Sequence, residues 1–483
     1  MNRITAAAAA VALLLAGCGG ETPTGPPHIT EQDRAFGAEQ HPRLLAQFGG
    51  VYQGEEARYV ARVGERVAEA AGLDDQCTFT LVNSDVVNAF AVPGCYIYVT
   101  RGMLAVVTSE AELASVLGHE LGHIVREHPQ RQERRSLWRA LGVLVVGLTG
   151  SERLTRLAGK AAQFFTLRYS RQQEYEADEL GIGYLKTAGY DPYEAADMLA
   201  ALDRQENYLT ASRGRDEARG IPEWNLSHPL TKNRIARARG IARATGVADN
   251  ALPEDAAPYL RAVDGLLYGD DPEQGFILGR RFAHPVMRIA FDAPTGFSLT
   301  NSPQAIALSG PDGLIGEFNG DPMPEEGLDA YAEALAKTVV SDAPGEVISA
   351  DRTTINGLHA VVLQLRIHSQ KGEVPIAIAT YDGGEGDAYH FIILSPPSNS
   401  SADGIMQLFR SFRRLTTAQA AALRPRVIHV VTAGRGDTVE TMARRTADVA
   451  PRALFLLLNG MAQSETLKPG ERVKIVTYAP GPG

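Results

Sequence analysis

A chain of 483 residues, 44% hydrophobic and 22% charged, has the composition of a globular protein and, on length, room for about two to four domains. Its formal net charge of -10 argues against a nucleic-acid partner.

The first residues read as an address. Asn2-Arg3 is a short basic stretch, Ala6 to Leu14 an apolar run, and Leu15-Ala16-Gly17-Cys18 a bacterial lipobox. Residues 1–18 are expected to be a lipoprotein signal peptide, cut before Cys18, whose acylation anchors the mature chain to a membrane. Gly19 in place of an aspartate favours the outer membrane, and residues 19–29, rich in Pro, Gly and Thr, read as a tether. With Cys18 lipidated, Cys77 and Cys95 remain as a pair in an oxidising compartment. They lie on strand-like segments that can be neighbours, and whether they bond is open at this point.

Residues 30–250 carry the chemistry. Helical segments run to Ala71, and Thr78 to Val82 and Tyr96 to Val99 read as strands around a Pro-Gly turn. An amphipathic helix start from Ser109 to Leu117 then leads into His119-Glu120-Leu121-Gly122-His123, an H-E-x-x-H sequence. On a helix, positions i and i+4 share a face, so both imidazoles can hold one metal ion with Glu120 at its edge. Such an ion acidifies water, and the glutamate moves the proton. A third ligand is needed. The following Ile124-Val125-Arg126-Glu127-His128-Pro129 lacks the glycine and histidine at metzincin offsets, whereas Glu174 and Asp178, in Ser170 to Gly181, share a helix face. Glu174 can ligate, and Asp178 can accept the free N–H of a ligating imidazole.

Between these motifs the stretch Arg126 to Arg171 is basic and reads as a solvated face, and its apolar run Leu141 to Leu148 is too short to cross a bilayer. His228-Pro229 has the form of a helix start ahead of the Arg-rich helix Lys232 to Ala244, a spacing that would leave Arg234 on an exposed face. Residues 251–279 read as a linker containing a short helix.

Four segments together carry a resemblance. The segment Asn88-Ala89-Phe90-Ala91-Val92-Pro93-Gly94-Cys95 through Leu104, the H-E-x-x-H sequence, the Glu174 helix and His228-Pro229 through Arg234-Ile235 look like the ordered motifs of the HtpX and CAAX-prenyl-protease type zinc metallopeptidases (gluzincins), in particular the soluble, periplasmic BepA-like lipoprotein branch. Cys95 departs from the pattern, which has a second glycine there. The resemblance implies a mainly α zincin-type domain with a small β-sheet, binding one Zn2+ per chain. It implies His119, His123 and Glu174 as ligands, Glu120 as general base, Asp178 behind a ligand, and His228 and Arg234 as catalytic groups near the metal. Arg234 would face the developing oxyanion, and His228 would either donate to it or occupy the open zinc position as a latch. It also makes Asn88, Ala89 and Phe90 part of an edge strand to which an extended substrate adds.

Residues 280–415 change texture. Seven strand segments between Met287 and Leu394 and two helices, Gly327 to Val340 and Asp403 to Arg413, give an α+β pattern that resembles the PsbP/DcrB-like sandwich. His359, His368 and His390 fall on separate strands and read as structural or surface histidines. After a linker at 416–425, residues 426–478 show a β-α-α-β order with Gly436-Asp437-Thr438, Asn459-Gly460 and Leu467-Lys468-Pro469-Gly470, which resembles a LysM module and implies binding to peptidoglycan. The expectation is therefore a multidomain, zinc-dependent metalloendopeptidase of the cell envelope, periplasmic and lipid-anchored to the outer membrane. It would act on misfolded or unfolded envelope polypeptides, with no nucleic-acid partner. The alternative is a latched, non-proteolytic chaperone or assembly factor for outer-membrane proteins.

Overall fold

The structure is a computed structural model that describes residues 27–130, 169–213, 224, 228, 232–340, 345–369, 372–395 and 402–480. The signal peptide with Cys18, most of the tether, the apolar run 141–148 and Pro229 lie outside the described residues. Among the described residues no helix is long and apolar enough to cross a membrane.

The first unit is a helical layer around a small sheet. Helices α1 (Glu31–Gln47) and α2 (Glu55–Ala70) precede strands β1 (Thr78–Val82), β2 (Ala89–Val92) and β3 (Tyr96–Thr100), followed by α3 (Arg101–Val106), α4 (Glu110–Val125), α5 (Arg171–Thr187), α6 (Glu194–Arg213), α7 (Lys232–Ala244) and α8 (Ala256–Ala262). The sheet order is β1-β3-β2, with β1 parallel and β2 antiparallel to β3, so β2 is an edge. Its side chains alternate as a strand requires: Ala89 and Ala91 join the main core, Phe90 and Val92 a second cluster with Phe48 and Tyr98. Ile29, assigned to the tether from sequence, is instead part of that main core.

Cys77 and Cys95 form a disulfide, their Cα atoms 4.6 Å apart. They directly precede the parallel partners Thr78 and Tyr96, which is why adjacent strands bring them together. Cys95 also has φ +61, a left-handed conformation that costs an L-residue about 1 kcal/mol or more and that glycine adopts freely. The usual second glycine and the cysteine thus answer the same turn in different ways.

α4 is buried along its length and is the axis of the unit. Ser109 caps it, accepting from Glu112 N at 2.9 Å and donating to the Glu194 carboxylate, while Glu112 accepts from Thr108 N. α5 crosses α4 at backbone distance. A Cβ on Gly122 would meet the Ala177 backbone at 2.9 Å and one on Gly181 would meet Gly118 at 3.1 Å, so only hydrogen at these positions permits the approach.

Residues expected to form a linker are structured, because they close two sheets. β4 (Leu267–Tyr268) pairs with the last unit, and β5 (Phe276–Leu278) with β6 (Arg281–His284) and β7 (Ile289–Asp292) starts the second unit. That unit continues with β8 (Ser298–Thr300), β9 (Ile306–Ser309), β10 (Ile315–Pro322), α9 (Leu328–Val340), β11 (Gly345–Ile355), β12 (Leu358–Ser369), β13 (Gly372–Gly384), β14 (Asp387–Leu394), α10 (Ala402–Ser411) and β15 (Arg413–Arg414). Its larger sheet runs β11-β12-β13-β14-β10-β9-β8. On one face Val361, Leu363 and Leu365 pack against Leu335 and Val339 of α9; on the other, Ala360 and Val362 share a cluster with Phe291 of β7 and Phe409 of α10. His390 is buried and bonded to the Tyr331 hydroxyl at 2.6 Å, a structural histidine as expected.

The expected linker at 416–425 contains α11 (Thr417–Ala421), closed by a Thr416/Gln419 capping box. The last unit is β16 (Arg426–Thr432), α12 (Val439–Ala443), α13 (Pro451–Leu458) and β17 (Arg472–Tyr478). It is not a separate bead: Ile428, Leu454, Leu457, Leu458 and Val476 belong to the same core as α4, and β16 pairs with β4. Fully buried Lys474 reaches across to donate to the carbonyls of Ala105 and Val107.

Burial, reinforced by the Glu112 carboxylate, pushes Glu194 up to about 8. The folded chain therefore holds this proton more tightly than the unfolded one. The resulting stability is complete below about pH 4.5 and is lost as pH rises through about 8. Glu194→Gln, always neutral, should melt close to the native chain at about pH 5 and about 1–3 °C above it at about pH 9 by calorimetry. A gap that does not change with pH would show that Glu194 is already ionised in the fold.

Candidate metal centre

Helix α4 delivers His119 and His123 from one face, and α5, started by a Ser170/Gln173 capping box, delivers Glu174 and Asp178 from one face of its first two turns. His228 completes a buried group in which donor atoms of His119, His123, Glu174 and His228 all lie within 4.8 Å of one another. His119 Nε2 is 3.0 Å from His123 Nε2 and 3.2 Å from His228 Nδ1. Glu174 Oε1 is 3.0 Å from His228 Nδ1 and 3.6 Å from His123 Nε2. Four donors around an ion at ~2.0–2.1 Å are separated by ~3.3 Å in a tetrahedron, so these spacings fit a zinc-sized cation. The nitrogen and carboxylate donor set suits zinc as well.

The environment fits in charge. Burial holds the pKa of His119 below its ordinary value and that of His123 well below, and burial together with Arg234 brings His228 to about 3, so all three are neutral, the form that can bind a metal. Burial raises Glu174 to about 7 against the pull of Arg234. Asp178 is the opposite case: burial alone would raise it, but Arg234 and His119 outweigh that and hold it well below the usual carboxylate range. Its Oδ1 accepts from His119 Nδ1 at 3.0 Å.

Glu120 is fully buried beside the donors, its Oε1 3.6 Å from His228 Nε2. The Ala91 N–H faces it, yet neither carboxylate oxygen makes a well-formed hydrogen bond among the described residues. Burial and the neighbouring Glu174 charge raise its pKa well above the ordinary value. A buried carboxyl left without partners is costly, about 1–3 kcal/mol, unless something belongs beside it, and a water is the natural partner.

Arg234 is placed differently from the expected oxyanion contact. Its guanidinium, only 1% exposed, grips Asp178 through Nε at 2.9 Å and Nη2 at 2.7 Å, and pairs with Glu174 through Nη1. The helix-surface position that spacing allowed does not occur, because α7 lies against α5 and presents Arg234 inward. Asn88, Ala89 and Phe90 do lie at the edge strand. Ala89 begins β2, Phe90 turns its ring away to stack on Tyr98 with centroids 4.8 Å apart, and Asn88 is tied through its backbone to Thr100.

Three residues that sequence reasoning did not assign also line the site. Tyr169 stacks on His123 with ring centroids 3.8 Å apart, and Trp224 stacks on His228 at 4.3 Å. His128 packs behind His123, their Nδ1 atoms 2.9 Å apart. None had a legible signal: Tyr169 precedes the α5 cap, Trp224 belongs to none of the sequence motifs, and His128 lies past the end of α4, beyond the turn at Arg126 and Glu127.

Comparison with known proteins agrees with this geometry. Residues 55–242 match the model of Peptidase family M48. The chain is 30% identical over 255 residues to a β-barrel assembly-enhancing protease of Yersinia pestis, covering 50% of each chain. It is 38% identical over 152 residues to the mitochondrial metalloendopeptidase OMA1 of Arabidopsis thaliana, covering 30% of this chain and 31% of that one. The chain thus spans about half the length, or less, of the curated relatives it matches. Among solved structures, the cyanobacterial PsbP of Synechocystis aligns over 28% of this chain and 91% of its own at 15% identity and a TM-score of 0.23, too slight a likeness to rest an assignment on.

If Glu174 is a ligand, Glu174→Gln should lower bound zinc after dialysis by at least about tenfold relative to the native chain, measured by elemental analysis. Unchanged zinc content would move the third ligand elsewhere.

Proposed function

We propose that this protein is a zinc-dependent metalloendopeptidase of the bacterial envelope, hydrolysing peptide bonds of misfolded or stalled envelope polypeptides. The observation that carries the reading is the buried Glu120, whose carboxylate makes no well-formed hydrogen bond among the described residues, beside a His119, His123 and Glu174 donor set. Bound zinc would supply a Lewis acid that polarises the scissile carbonyl and acidifies water. Glu120 would take a proton from water and pass it to the leaving amine, and the burial that raises its pKa favours its holding that proton between the two transfers. Asp178 holds His119 in the tautomer that presents Nε2, and Arg234 holds Asp178 and Glu174 in place. The outer edge of β2, which pairs with no other strand among the described residues and lies next to Glu120, would take an extended polypeptide as an added strand, which selects unfolded segments.

His228 supports a second reading. Its Nδ1 stands within the donor set and its Nε2 between the other ligands and Glu120, where water must enter. In this conformation it is a latch that fills the fourth position, consistent with a chaperone or assembly factor that cuts only when released. The name of the Yersinia relative favours a part in β-barrel assembly. We assign lipidation to Cys18, which would hold the chain at the outer membrane, and peptidoglycan contact to residues 426–478 on their β-α-α-β order.

The test is zinc stoichiometry with casein cleavage for the chain beginning at Gly19, beside Glu120→Gln and His228→Ala. We expect one zinc per chain in all three, cleavage reduced by about 100-fold or more in Glu120→Gln, and a several-fold rise in His228→Ala. Absence of zinc from the native chain would sink the proposal; zinc without cleavage in both the native chain and His228→Ala would favour the non-proteolytic reading.

A further inference from the structure

His128 takes part in none of the steps above, yet it is fully buried and lies directly behind a ligand. α4 ends at Val125, and Glu127 adopts φ +53, so the chain turns back and sets His128 under the imidazole of His123. The two Nδ1 atoms are 2.9 Å apart, and His128 Nε2 is 3.3 Å from Glu176 Oε2. Glu176 is in turn held by Gln172, whose amide donates to its other oxygen at 2.8 Å.

These contacts allow one proton arrangement. Two imidazole nitrogens at hydrogen-bond distance need one N–H and one lone pair between them. His123 turns Nε2 toward the donor group, 3.0 Å from His119 Nε2 and 3.6 Å from Glu174 Oε1. As a neutral ligand it keeps its proton on Nδ1 and donates it to His128. His128, accepting there, carries its own proton on Nε2 and donates it to Glu176. The direction of every bond follows from the first.

Resting on the metallopeptidase reading, we propose that His128 and Glu176 form a relay that fixes the tautomer and orientation of His123, the counterpart of Asp178 behind His119. The two supports are built differently. Asp178 is buried, touches its histidine directly and is neutralised by Arg234. Glu176 acts through an intervening imidazole from a side chain 32% exposed, with no guanidinium bonded to it among the described residues. One α5 helix thus supplies a ligand and the terminal carboxylate behind each of the two histidines of α4. His128 and Glu176 are positioning residues, since they reach the reaction only through His123.

The experiment measures zinc affinity of the full chain by competition with a chromophoric chelator, with circular dichroism to confirm folding. His128→Phe keeps the ring and removes both nitrogens, and should weaken zinc binding by about 10–100-fold. His128→Asn places an amide oxygen where Nδ1 stood and should recover affinity to within a few-fold of native. Glu176→Gln, at a part-exposed position that folding tolerates, should weaken binding a few-fold. His128→Phe and Glu176→Gln both binding within about twofold of the native chain would overturn the relay while leaving the zinc site intact. If His128→Phe does not fold, an unchanged affinity in Glu176→Gln overturns it by itself. A native chain that binds no zinc would overturn both the relay and the reading it rests on.

Discussion

The site depends on one buried guanidinium. Glu174 and Asp178 stand one turn apart on the same face of α5, both essentially out of solvent, where two carboxylates would repel and neither could stay ionised. Arg234 lies between them, bonded to both oxygens of Asp178 and paired with Glu174. Removing one partner from such a buried group costs about 3–5 kcal/mol, because the charges left behind have no water to turn to. What the arrangement secures is shape. Asp178 stays charged and can orient His119, while Glu174 remains poised near neutrality to be claimed by a metal.

The helices meet closely enough for this because glycine faces alanine and glycine. With any side chain at Gly122, α5 would be displaced from α4, and Glu174 would move away from the two imidazoles. The two motifs read separately from sequence are therefore one packing unit. The glycine inside the histidine pair is as much a condition of this donor cluster as the histidines and Glu174 are.

Local pattern made much of this legible. His119, His123, Glu120, Glu174 and Asp178 obey helical periodicity, and the capping residues Ser109 and Ser170 mark where each helix begins. The alternating strands from β7 to β10 and from β12 to β14 were equally clear. β11 was not, because it is an edge strand exposed on both faces, and its polar run Ser349 to Thr354 carries no alternation to read. The inward aim of Arg234, the stacking of Tyr169 and Trp224, and the place of His128 depend on contacts with residues of α4 or α5 that are distant in sequence. Those are tertiary facts, and no window of neighbouring residues contains them.

The way the last unit joins the first bears on when this protein can finish folding. Ile428, Leu454, Leu458 and Val476 complete the core that surrounds α4, and Lys474 binds carbonyls at the start of that helix's approach. Domains usually fold in order as the chain emerges, the first before the last. Here the residues around α4 cannot finish packing until residues 428–476 have been made. A chain interrupted before residues 428–476 would therefore present α4 with its core unfinished.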